Sequence, residues 1–184
     1  MTVRDIVSRE FPLSDKQLDQ LQAHYDLLVK WNAKLNLTRI ESVEQAALLH
    51  YCESLYLGSK LPPGALRIAD VGTGAGFPGT PISILRPECH LTLVESHQRK
   101  AVFLRESTRE LPNVKVFAGR AEDLNEQFDW VVSRAVTPED VLKLPISKQF
   151  ALLVGPEDAR KLGGTPLPWG EGRYLASVPR GTLE

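Results

Sequence analysis

The segment that most constrains this chain is Asp70-Val71-Gly72-Thr73-Gly74-Ala75-Gly76-Phe77-Pro78-Gly79. It follows directly on Leu66–Val71, an apolar run that reads as a strand. A helix is expected after it, ending before Pro87. Strand, glycine turn and helix in that order bring free N–H groups and unshielded backbone to the edge of a sheet, where a ligand can approach the main chain. Further strands are expected at His90–Glu95, Val114–Ala118, Phe128–Ser133 and Phe150–Val154, with Ser96 capping a helix to about Glu110. Strands alternating with helices imply parallel βαβ units, hence an α/β layered fold. The tail after Gly155 is rich in glycine and proline, and its one strand-like piece is Arg173–Val178.

The first sixty residues have a different character. Ser14 and Gln17 fit a capping box, and Leu18, Leu21, Tyr25, Leu28 and Leu35 form an amphipathic stripe. A second helix is expected from about Val43 to Leu57, and Leu61-Pro62-Pro63-Gly64 closes the section. The chain therefore divides into a helical N-terminal extension, 1–63, and an α/β core, 64–184, within one compact unit. With 22 Lys+Arg against 23 Asp+Glu, bulk positive charge cannot supply affinity for nucleic acid, although a local basic face can. Two cysteines, Cys52 and Cys89, cannot build a disulfide framework or a four-ligand zinc site. Met1–Phe11 has no apolar run resembling a signal peptide, and Phe150–Val154 is among the longest apolar runs. The chain is read as cytoplasmic, with no membrane span.

Two ligand classes use a glycine turn at this position. Gly74-Ala75-Gly76-Phe77-Pro78-Gly79 satisfies the dinucleotide expression, and Asp70-Val71-Gly72-Thr73-Gly74-Ala75-Gly76 satisfies that for S-adenosylmethionine. Register favours the second. Counted from Gly72, the third glycine of a dinucleotide loop would be Phe77. Counted from Gly74, the loop starts late, and Pro78 removes an N–H that a pyrophosphate would use. Asp70 suits a cationic aminoacyl group better than a pyrophosphate. A glycine turn with no ligand stays open. Glu95, closing the second strand, is placed to accept hydrogen bonds from ribose hydroxyls. Ala121-Glu122, past the third strand, is expected near the adenine edge, with a solvated loop charge as the open alternative.

Trp31-Asn32-Ala33-Lys34-Leu35-Asn36-Leu37-Thr38, His50-Tyr51-Cys52-Glu53-Ser54 and Ser133-Arg134-Ala135 complete a pattern with the glycine loop. From about Leu18 to Arg134 the chain resembles the bacterial small-subunit ribosomal RNA guanine-N7 methyltransferases, also called glucose-inhibited division protein B. The resemblance implies a class I S-adenosylmethionine-dependent methyltransferase fold, Rossmann-like and mostly parallel, with a helical N-terminal extension. It implies S-adenosyl-L-methionine as donor. It also implies a guanine N7 of 16S rRNA as acceptor; because N7 must be exposed to react, the partner is read as 16S rRNA or a small-subunit assembly particle, and the chain, whose oligomeric state the sequence does not give, is read as a monomer. Gly72, Phe77, Ala121, Glu122 and Arg134 match cofactor-contacting positions of that family, and Arg120 and Arg134 match positions tied to RNA or activity. Asp70, Gly74, Gly76 and Glu95 complete the expected donor site. The chain departs from the family pattern where Val154-Gly155 replaces Lys-Gly and Glu53 replaces aspartate.

The chemistry is consistent with this. Guanine N7 carries an unprotonated in-ring lone pair, so methyl transfer needs alignment and a suitable field but no base. No Ser/His/Asp, Cys/His or metal constellation is evident; His24, His50, His90 and His97 are scattered. Arg99, Lys100, Arg105 and Arg109 on one predicted helix, with Lys34 and Arg39, are candidates for an RNA face, and for the helix charges a merely solvated face stays open as the favoured reading. Three other functions stay open: a methyltransferase of another substrate, a non-catalytic RNA- or ribosome-binding relative, and a nicotinamide oxidoreductase.

Overall fold

The structure, a computed structural model, describes residues 1–39 and 42–183. Seven strands form one sheet: β1 Arg67–Val71, β2 His90–Glu95, β3 Val114–Ala118, β4 Trp130–Arg134, β5 Gln149–Val154, β6 Thr165–Pro166 and β7 Tyr174–Pro179. Their order is β3-β2-β1-β4-β5-β7-β6. Strands β1 to β5 are mutually parallel, and β7 runs antiparallel to β5. Most residues of β1, β2 and β5 are buried, as continuous apolar runs in a sheet covered on both faces require. Chain order runs outward from β1 to β3 on one side and from β4 to β5 on the other. The crevice at the carboxyl ends of β1 and β4 is the switch point where open α/β sheets bind ligands.

Helices α1 Val3–Glu10 and α2 Asp15–Leu35 open the chain. The Ser14/Gln17 capping box is present, and Asn36 ends α2 in the left-handed region at φ 49°. A cap is worth about 1 kcal/mol. Burying a leucine is worth roughly 1.5–3 kcal/mol, and Leu21 and Leu28 are both fully buried, so packing rather than capping holds α2. It packs on the face of the sheet that carries the glycine loop, in a cluster that includes Ala75, Phe77, Leu93 and Phe103. Asn32 explains part of the Trp31–Thr38 pattern. Its amide donates to the Thr38 carbonyl at 2.9 Å and accepts the Thr38 N–H at 3.0 Å, which ties the chain beyond α2 back onto the helix.

Several elements differ from expectation. The helix expected over Val43–Leu57 is α3 Val43–Ala46, a π-helical turn Ala47–Cys52, and α4 Glu53–Lys60. Helix α5 spans Gly79–Leu85. Helix α6 spans Gln98–Ser107, and its cap is His97 rather than Ser96, the His97 side chain accepting the Lys100 N–H. Thr108 ends it, its hydroxyl donating to the Leu104 carbonyl at 2.6 Å. Helix α7 is Pro138–Leu142. The glycine- and proline-rich tail contains an unexpected helix, α8 Pro156–Leu162. Gly155-Pro156 resembles a breaker in sequence, yet proline at the first helical position starts a helix, and Gly163 at φ 73° ends it. No helix among the described residues is long and apolar enough to cross a membrane.

Candidate functional site

The glycine loop leaves β1 and is held from three directions. Beneath it lies Asp70, fully buried. Its Oδ2 accepts from the Thr73 hydroxyl at 2.6 Å and the Gly79 N–H at 2.7 Å, whereas Oδ1 has no partner. Burial raises this carboxyl to about 6. Gly79 must be glycine because an added Cβ would run into Leu93 and lie 2.7 Å from Asp70 Oδ2. It therefore permits the close approach of helix and sheet.

From β2 comes Glu95. Its Oε1 accepts the Gly74 N–H at 3.0 Å and its Oε2 the His97 N–H at 2.9 Å, so one carboxylate spans the loop and the start of α6. From α2 comes His24, buried beneath the loop. Its Nε2–H donates to the Ala75 carbonyl at 3.0 Å and its Nδ1 accepts the Tyr51 hydroxyl at 2.6 Å, a tautomer assigned from these partners. Burial lowers this imidazole to about 4 and keeps it neutral at pH 7. The loop backbone itself needs glycine: φ is +67° at Gly72, +58° at Gly74 and +98° at Gly76. A Cβ on Gly72 would lie 2.5 Å from Val136 Cγ2, whereas one on Gly74 would meet nothing within 4 Å. The space over Gly74 is open.

Phe77 turns inward and is buried, its ring centroid 5.3 Å from His24, 5.1 Å from His50 and 5.0 Å from Tyr51. Over the same ring lies the Arg134 guanidinium at 5.1 Å. Arg134 closes β4. Its Nη1 donates to His50 Nδ1 at 2.6 Å and to the Leu49 carbonyl at 3.3 Å. The Arg134 Nε–H and Nη2 hydrogens have no partner among the described residues. Burial lowers the guanidinium to about 10, so it stays charged. Burial, then the Arg134 charge, lowers His50 to about 4, so its Nδ1 is an acceptor at neutral pH.

Cavities surround these groups. One of about 200 Å³ is lined by Gly72, Glu95, Arg120, Ala121 and Glu122. A second, of about 250 Å³, is lined by Thr38, Gly74, Phe77, Glu95, Lys100 and Arg134. Gly72 and Glu95 border both, which makes a groove along the loop. A third, of about 560 Å³, lies beyond Arg134 and is lined by His50, Pro138, Asp158, Arg173 and Tyr174 among others. The site residues expected from sequence thus gather at one crevice, with two qualifications. Asp70 and Gly76 are buried supports of the loop. Arg120 is exposed at the far end of the groove, with Glu95 lining the space between it and Arg134.

Sequence reading missed several supporting residues. His24 and Tyr51 occupy buried helix positions where an apolar side chain is the usual occupant. Glu53, noted only as a departure from a pattern, is fully buried and paired with Arg173 through Nε and, at 2.7 Å, through Nη2. The ion pair ties α4 to the C-terminal hairpin. Of the expected RNA-facing charges, Lys100 lines the groove, whereas Arg99 and Arg105 are exposed on α6. Arg109 lies past the helix end, 3.7 Å from both Glu106 and Glu110. Among the described residues no cluster of His, Cys, Asp and Glu could hold a metal ion.

The strand order and the glycine crevice define a class I, Rossmann-like methyltransferase fold. A SAM-dependent methyltransferase from Aquifex aeolicus superimposes with a TM-score of 0.56 over 74% of this chain and 93% of that one, at 15% identity. The model of the family described as rRNA small subunit methyltransferase G, GidB, matches residues 17–150, and the chain belongs to that family. The protein of that name from Streptococcus pneumoniae serotype 19F (strain G54) is 37% identical over 147 residues, covering 74% of this chain and 62% of the relative. The one from Dichelobacter nodosus (strain VCS1703A) is 41% identical over 138 residues, 73% of this chain and 65% of the relative. The chain thus spans less than two thirds of the length of these curated relatives.

Proposed function

We propose that this chain transfers the methyl group of S-adenosylmethionine to N7 of a guanine in 16S rRNA, acting as a monomer in the cytoplasm on free rRNA or on a small-subunit assembly particle. The observation that carries the reading is the open space over Gly74, facing the Glu95 carboxylate at the switch point of the sheet. The residues fit the donor. Positive-φ glycines leave the backbone bare, Glu95 offers acceptor oxygens to ribose hydroxyls, and the unpartnered Asp70 Oδ1 supplies negative potential beneath the loop. Ala121 and Glu122 border the part of the groove assigned to adenine.

Bound there, S-adenosylmethionine would supply an electrophilic methyl group, and a guanine N7, whose lone pair carries no proton, would need only to be aligned with it. The chain therefore needs no general base, and its two neutral histidines, the buried His24 and the half-buried His50, have structural partners. What the chain contributes is alignment and field. Arg134 borders both the donor groove and the large cavity and is held by His50, Leu49 and the Phe77 ring. Its free N–H groups can fix the acceptor base while the ring face below excludes water. Helical segment 1–63 is read as the support of the loop, and 64–184 as the methyltransferase core.

The test uses the purified 184-residue chain, radiolabelled S-adenosylmethionine and small subunits from cells lacking the modification, with the product mapped by chemical cleavage at N7-methylguanine. Label in one 16S guanine is expected. A second reading, a non-catalytic RNA-binding relative, is favoured by one feature: Val154-Gly155 lacks the basic residue of the family pattern. That reading predicts no label and no heat with the donor.

A further inference from the structure

N7 methylation leaves a selectivity problem. Adenine and guanine both carry a nucleophilic N7, so the chemistry of the step cannot choose between them. Selection must come from the other edge of the base: O6, N1–H and the N2 amino group of guanine, against N6 amino and bare N1 of adenine. Guanine therefore needs a donor near O6 and an acceptor on the opposite side of its pocket.

The cavity beyond Arg134 offers this pair. At about 560 Å³ it can hold a flipped nucleotide, and Arg134 and Val136 connect it to the donor groove. Arg134, at the end of β4, has unpartnered Nε and Nη2 hydrogens. One strand along, β5 pairs with β4 in the register Arg134↔Leu153, and the chain then turns at Gly155 into α8. Asp158, in the first turn of α8, lines the same cavity. Arg134 at the end of β4 and Asp158 shortly past the end of β5 thus line one cavity. The other cavity carboxylate, Glu53, is taken by Arg173. Asp158 has no hydrogen-bond or ion-pair partner among the described residues and is only partly exposed.

We infer that the cavity is the acceptor-base site and that Asp158 reads the N1–H and N2-amino edge of guanine while Arg134 donates to O6. The assignment rests on the proposed guanine acceptor. Adenine would place its N6 amino group against the Arg134 donors and its N1 lone pair against the Asp158 carboxylate, and both contacts are repulsive. Tyr174 and Pro138 supply apolar walls for the ring faces.

The experiment is titration of the 184-residue chain, saturated with S-adenosylhomocysteine, with GMP, IMP and AMP, followed by NMR. GMP is expected to bind about tenfold more tightly than IMP, which lacks the N2 amino group and so one charge-assisted hydrogen bond. AMP should bind more weakly than either. Asp158→Asn should abolish the GMP preference over IMP while leaving the affinity for S-adenosylhomocysteine unchanged. Glu157→Gln, an exposed neighbour, should leave the preference intact. Equal affinities for the three nucleotides, no nucleotide binding, or an unchanged preference in Asp158→Asn overturns the assignment. Failure of the proposed function itself reads differently: S-adenosylhomocysteine does not bind at all.

Discussion

The two sides of Arg134 are built differently. On the donor side the loop is fixed by Asp70, Glu95 and His24, three groups from three separate elements, each contacting the loop within a few residues of Gly74. On the proposed acceptor side the 560 Å³ cavity is walled by β5, α8 and the C-terminal hairpin, and the ion pair of the buried Glu53 with the partly exposed Arg173 fastens that hairpin to α4. Donor-side residues lie inside the matched family segment, 17–150, whereas Asp158, Arg173 and Tyr174 lie outside it. The proposed donor cradle is thus fixed redundantly, and the wall of the proposed acceptor cavity is built from separate elements. The two sides should therefore fail separately, except through Arg134.

Arg134→Ala is the variant that should affect both. It removes the guanidinium shared by groove and cavity, and methyl transfer should fall by about 10²–10³, as for loss of one preorganised donor. Single-turnover kinetics with circular dichroism as a fold control measures it; transfer at the wild-type rate excludes the role. Arg173→Ala should affect the acceptor side alone. It leaves Glu53 buried without its partner, at a cost of about 3 kcal/mol in urea unfolding, while donor affinity in the folded fraction stays unchanged. Gly74→Val reverses that pattern. No protein atom lies within 4 Å of the new Cβ, so the direct cost to the fold is the left-handed φ, about 1–2 kcal/mol. The side chain would occupy the donor's space, and calorimetry should show donor affinity reduced at least about a hundredfold, roughly 2.7 kcal/mol.

The smallest effect separates the supports of the loop. His24 has a folded pKa of about 4, below its ordinary 6.5, because burial penalises the imidazolium. Its contribution to stability is therefore fully present above pH 6.5 and is lost as pH falls toward 4. His24→Gln keeps an amide donor for the Ala75 carbonyl and carries no titrating group. Its melting temperature should fall less than that of the wild type between pH 6.5 and 4.5, although it lies somewhat lower at pH 7.

The β-strands and the glycine loop are legible in the sequence because their signals are local: apolar runs, and a run of glycines with no other use for its conformations. The capping box of α2 is legible for the same reason. The π-helical turn at Ala47–Cys52 is not, because periodicity over six residues does not separate it from an α-helix. Helix α8 was hidden by Gly155-Pro156, whose meaning depends on whether a helix follows. The roles of His24 and Glu53 depend on partners 51 and 120 residues away, Ala75 and Arg173. Arg120 and Arg134 resemble each other in sequence, each following a strand, yet the fold sends them to opposite ends of the groove.

Isothermal titration of the 184-residue chain with S-adenosylhomocysteine tests the proposed donor cradle most directly. One saturable site with micromolar affinity, abolished by Gly74→Val in protein that remains folded, is the predicted result. Absence of heat from folded wild-type protein, or equal affinity in Gly74→Val, would contradict it.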